Sequence, residues 1–230
     1  MVGFSTLAAL TKLTGQFPDA QDILYASKEG GDRAQIAIAR QWLSEGIPYA
    51  FQNSPWLYEI VRNWIAVRLD IEAKSVNLTG SGRLGQSLAP KQLGKPFNGS
   101  SDLDFFVVSG HLFNLLKFDY LAWCDDFDLG NIKPSNPRQE RFWNDTRKRT
   151  EKYIGRGLLD ANLLPNLTKY SAVQKVNQTM YILTKKLAST AGAPDIKHAS
   201  IRCYKNWQAF ERQSQRNLQS IHTHGYLNEL

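Results

Sequence analysis

Two aspartates, Asp102 and Asp104, flank Leu103 at the start of an almost wholly apolar run, Leu103 to Val108. In a β-strand alternate side chains point to the same side. The two carboxylates are therefore expected to project together. Like charges that close repel, and both are costly beside a core. A divalent cation relieves that cost. Mg²⁺ (or Mn²⁺) takes oxygen ligands and keeps waters and substrate phosphates in its shell. Two acids leave most of that shell open, as a nucleoside triphosphate requires. The pair is read as catalytic and metal-binding.

Upstream lies Gly80-Ser81-Gly82, followed by Arg83. Glycine lets a backbone approach phosphate closely, and successive N–H groups can form an anion-binding nest. The Ser81 hydroxyl can bond a phosphate oxygen, and Arg83 could pair with phosphate bidentately. Gly80, Ser81, Arg83 and Ser101, which precedes the aspartates, are the expected nucleotide contacts. Lys91 and Lys95 in the intervening loop, with Arg202 further on, are candidate phosphate or RNA contacts.

These residues need a scaffold. Ser75 to Thr79 is short and β-prone, and Leu103 to Val108 reads as a central strand covered on both faces. Gln86 to Ser101 is loop-like, rich in Pro, Gly and Ser. Helices are expected at Pro18–Ser44, from Ser54-Pro55 with Ser as N-cap, after Ser109-Gly110, over Pro137–Ile154, over Ser171–Leu187 and over Asn206–Ile221. Leu57, Ile60, Val61, Trp64, Ile65 and Leu69 form the apolar stripe of the second. Leu159 to Lys169 looks irregular, and Ala199 to Tyr204 reads as a strand. The fold class is α+β: a small mixed sheet flanked by many helices. One domain spans 1–230, with its sheet core in about 54–110 and 195–221.

The order of motifs resembles the nucleotidyltransferase superfamily related to DNA polymerase β. That family carries a Gly-Ser motif and, further on, an Asp-x-Asp or Asp-x-Glu triplet; Gly80-Ser81 and Asp102-Leu103-Asp104 match it. G-S-x-R-x-G-x-S-L followed by S-D-L-D also looks like an uncharacterised bacterial branch of the superfamily. In that branch the likeness extends to Trp42–Phe51, Gly157–Asn166 and Ser200–Trp207. The resemblance implies Mg²⁺-dependent transfer of a nucleoside monophosphate from an NTP such as ATP to a hydroxyl acceptor, an RNA end or a nucleotide. It also suggests a place in bacterial defence. Active members generally add a third carboxylate on a neighbouring strand. Here the later strand offers Arg202 instead, and Asp160 sits in the irregular stretch. The alternative reading is therefore a weak or inactive nucleotide- or RNA-binding module of the same fold.

The remaining features bound the answer. Net charge is +7, which suits phosphate-bearing partners. No apolar run approaches the roughly 20 residues of a membrane span, and Met1 to Leu10 reads as a helix or arm rather than a signal peptide. Two cysteines without a C-x-x-C argue against zinc and disulfides and suit a cytoplasmic protein. A protein partner or a homo-oligomer stays open. Arg138 to Lys152, interleaved with Trp143 and Tyr153, is a basic helix that could contact RNA. His222 and His224 have the wrong spacing for one helix face.

Overall fold

The computed structural model describes residues 6–225, with side chains through His222; positions 1–5 and the His224 side chain lie outside the described residues. Eight helices and four strands occur among them. In chain order these are α1 (Ala20–Glu29), α2 (Gly31–Gln41), α3 (Pro55–Leu69), β1 (Val76–Leu78), α4 (Gly80–Leu84) and β2 (Leu103–Val108). Then come α5 (Gly110–Asp128), α6 (Pro137–Arg156), β3 (Leu158–Asp160), α7 (Ser171–Ala188), β4 (Ala199–Tyr204) and α8 (Trp207–Gly225). The expected α+β class and small mixed sheet are present. No helix among the described residues is long and apolar enough to cross a membrane.

Strand order is β1-β2-β4-β3. β1 runs antiparallel to β2, β2 parallel to β4, and β3 antiparallel to β4. β2 is thus central, as its apolar run requires. Leu103, Phe105, Phe106 and Val107 are all buried. Side-chain alternation divides them between two cores. Leu103, Phe105 and Val107 pack with residues of α3, α5, α6 and α7, whereas Phe106 packs with those of α1, α2 and α8. Phe106 stacks on Phe210 with ring centroids 4.3 Å apart, which seats α8 on the sheet. Burying such a ring contributes about 1.5–3 kcal/mol.

Local chemistry explains the boundaries and also corrects several expectations. Pro18–Ser44 is two helices, because Gly31, where α2 begins, takes φ +57°. Pro55 is the first residue of α3 as expected, but the Ser54 hydroxyl does not cap the helix; it donates to the Gly192 carbonyl. Ile60 is exposed rather than part of the buried stripe. The Ser109 and Asn136 side chains do cap α5 and α6, accepting from Leu112 and Gln139 N–H groups. α6 ends at Gly157 with φ +72°. β3 follows at once, so part of the stretch read as irregular is a strand. It lies outside the expected sheet core of 54–110 and 195–221. Both cysteines are buried and free.

Candidate functional site

β1 leads into α4 through Thr79, whose N–H donates to the Asp104 carbonyl at 2.9 Å. This bond ties the Gly-Ser turn to the aspartate strand. Gly80 takes φ +65°, a backbone that L side chains rarely adopt. A methyl group there would stand 3.5 Å from Asp104 Oδ2. The turn and the carboxylate are therefore in close approach. Gly82 is equally constrained by packing, since an added methyl would meet Leu103 Cδ1 at 3.0 Å.

Gly80, Ser81, Ser101, Asp102 and Asp104 line one cavity of about 650 Å³. The 86–101 loop covers one side, through the bonds Ser87 N–H to Lys95 O and Phe97 N–H to Gly85 O. α8 closes the other with Ser214, Asn217, Leu218 and Ile221. Leu43, Leu84 and Leu88 add apolar wall. Ser214 is 6% exposed, and its hydroxyl has no partner among the described residues. Asn217 Oδ1 accepts from Gln213 Nε2, which fixes its amide.

The two aspartates differ. Asp104 is half-buried in β2; Asp102 is exposed just before the strand. Ser200, the register partner of Asp104 on β4, donates its hydroxyl to Asp104 Oδ1 at 2.7 Å. Asp102 has no hydrogen-bond or ion-pair partner among the described residues. Open oxygens on two carboxylates in a polar cavity suit one hard cation that keeps other ligands. They provide no third acid. Among the described residues no three His, Cys, Asp or Glu side chains group to hold a metal ion.

Other expected contacts are redistributed. Arg83, expected at phosphate, does not line the cavity. It is 1% exposed, and its guanidinium donates to the Trp42 and Gly46 carbonyls, both at 2.9 Å. Burial lowers its pKa, opposed by Tyr58 and Glu45. Its role is to bind α4 to the turn after α2. Arg202 is not free for phosphate either, because Asp160 on β3 holds it bidentately at 2.8 Å. Burial alone would lower the Arg202 pKa; the Asp160 carboxylate more than offsets this and raises it. Lys95 lines the cavity, whereas Lys91 does not. Trp143 cannot stack on a base, because it is buried against Trp123 and Phe127.

Three residues escape sequence reading: Ser214 and Lys197, which line the cavity, and Ser200, which bonds Asp104. Lys197 lines the cavity, and its N–H donates to the Ser101 carbonyl. The alternation of Ser200 and Arg202 in β4 shows that they share a face. Only the strand register shows which residue meets Asp104.

Compared with family models, with curated proteins and with solved structures, the chain matches none.

Proposed function

We propose that the chain is a nucleotidyltransferase-type protein that moves a nucleoside monophosphate from an NTP to a hydroxyl acceptor. One observation carries the reading. Gly80-Ser81 and the carboxylates of Asp102 and Asp104 wall a single cavity, whose volume lies in the range of small-molecule sites. Asp102 and Asp104 would hold Mg²⁺ or Mn²⁺, which when bound offsets the negative charge of the phosphates.

The chain's own residues do the rest. Ser81, Lys95 and Lys197 line the cavity and would offer a hydroxyl and two ammonium groups to the phosphates. The apolar wall from Leu43, Leu84, Leu88 and Leu218 suits a base, with Ser214 offering one hydrogen bond at its edge. In the reaction the acceptor oxygen bonds to the α-phosphorus. The bond from that phosphorus to the bridging oxygen breaks, pyrophosphate leaves, and the hydroxyl proton passes to water. Positioning and electrostatics supply most of such catalysis. The basic surface favours a phosphate-bearing acceptor, an RNA end or a nucleotide.

A second reading is nucleotide binding without turnover. It is favoured by Ser200 beside Asp104, and by the ion pair that engages Asp160 with Arg202. Equilibrium dialysis of wild-type protein with each α-labelled NTP, with and without Mg²⁺, tests both readings when paired with pyrophosphate release. Mg²⁺-dependent binding with release supports transfer. Mg²⁺-dependent binding without release supports the module. Absence of any Mg²⁺-dependent binding sinks both.

A further inference from the structure

A second cavity, of about 540 Å³, opens on the α7 side of the same strand ends. Asp102 and Lys197 line both cavities. A group seated in the second cavity can therefore reach the carboxylate that also bounds the first. Asp102 is the only acid among its lining residues.

The rest of its wall mixes apolar Val176, Met180 and Ile201 with polar and cationic side chains. Tyr181 is 67% exposed on α7, and Lys185 Nζ lies 5.7 Å from its ring centre. With Lys185 over one face of this largely exposed ring, a planar base can stack on the other face while the ammonium meets a phosphate. Asn162 and His198 add polar edges to the wall. The Thr184 hydroxyl is already engaged, donating to the Met180 carbonyl and accepting from the Ala199 N–H. Beyond the cavity the same chemistry continues. Lys186 and Arg68 both sit over the Trp64 ring, at 5.8 and 5.1 Å.

We propose that this second cavity is the acceptor site, and that it takes the hydroxyl-bearing end of a nucleotide or of a single-stranded nucleic acid, with a base on Tyr181 and a phosphate at Lys185. The proposal rests on the reading of the first cavity as the NTP site. The acceptor hydroxyl would lie at Asp102, between the two cavities. Its oxygen would bond to the α-phosphorus seated in the first cavity as pyrophosphate leaves, and its proton would pass to water at the mouth of the second.

The test is fluorescence anisotropy of a labelled hexaribonucleotide with wild type, Tyr181→Ala, Tyr181→Phe and Lys185→Ala. ATP binding in Mg²⁺ is measured separately on each. Tyr181→Ala should weaken hexamer binding about tenfold, the scale of one lost base stack, with ATP binding unchanged. Tyr181→Phe should bind the hexamer as wild type does, because it keeps the ring. Competition by AMP would assign the site to a mononucleotide; hexamer binding that AMP does not displace would assign it to a nucleic-acid end. Hexamer binding equal in wild type, Tyr181→Ala and Lys185→Ala, or no hexamer or AMP binding by wild type, would overturn the proposal. Failure of wild type to bind ATP while hexamer binding still depends on Tyr181 would sink the donor reading instead, and with it the acceptor role.

Discussion

Ser200 stands directly across from Asp104 in the parallel β2–β4 register and donates a 2.7 Å hydrogen bond to Oδ1 of that carboxylate. The position beside the second aspartate is thus held by a neutral hydroxyl. The next residue on that face, Arg202, is neutralised by Asp160.

Replacing this hydroxyl with a carboxylate makes metal dependence readable. In Ser200→Asp a third acid would repel Asp104, and the unfolding midpoint should fall by several degrees without cation. Millimolar Mg²⁺ should restore it, with a larger shift than in wild type, because binding to the folded state alone stabilises it. Thermal unfolding with and without Mg²⁺ measures this. An equal Mg²⁺ response in both proteins would argue against a cation at Asp104.

Arg83 should prove structural. Arg83→Met leaves the Trp42 and Gly46 carbonyls without their charged donor, in a site that is 1% exposed. Hydrogen bonds to charged groups contribute about 1.5–3 kcal/mol each. A loss of about 2–4 kcal/mol in urea unfolding is expected, with NTP affinity of the folded fraction little changed. Unchanged stability with lost affinity would return Arg83 to the phosphate site.

Gly80→Ala separates backbone from contact. Its φ of +65° costs an L residue about 1–2 kcal/mol. The added methyl would also face Asp104 Oδ2 at 3.5 Å, where a phosphate is proposed to approach. Unfolding should show the backbone cost, and Mg²⁺-dependent NTP binding should weaken severalfold. The stability loss without any change in binding would place the nucleotide elsewhere.

His222 anchors α8, which walls the cavity. Its Nε2 lies 2.7 Å from Ser27 Oγ on α1. Burial, and then Lys28, lower its pKa from the ordinary 6.5. Above that ordinary value the ring is neutral in both folded and unfolded chains, and its contribution to stability is fully present. As pH falls below it, the unfolded chain binds the proton first, so stability declines until the lower folded pKa is passed. Urea midpoints should drop as pH falls through and below the ordinary value of 6.5, and less so in His222→Gln. Parallel declines would show that His222 is not the sensor.

Legibility in the sequence followed the range of the interactions. Ala199–Tyr204 was expected as a strand, and Ser171–Leu187 as a helix, to within a residue of what is observed. Each is bounded by local breakers. β2 announced itself because burial on both faces demands an unbroken apolar run. β3 was hidden: three residues after a helix cap carry no periodicity, and Asp160 and Arg202 are 42 residues apart. Gly80, Ser81, Asp102 and Asp104 share a cavity because a short strand and its neighbour bring the two motifs together. Arg83 misled because its type suits phosphate, whereas its burial depends on carbonyls near residue 42, which no local pattern reveals. The contribution of α8 was equally invisible, since it requires Phe210 to find Phe106.

The most direct measurement is label transfer and pyrophosphate release by wild type and Asp102→Ala/Asp104→Ala, with Mg²⁺ or Mn²⁺, each α-labelled NTP, and with or without total RNA. The proposed function predicts metal-dependent transfer by wild type that the double variant lacks. Transfer or pyrophosphate release that survives the loss of both carboxylates would contradict it.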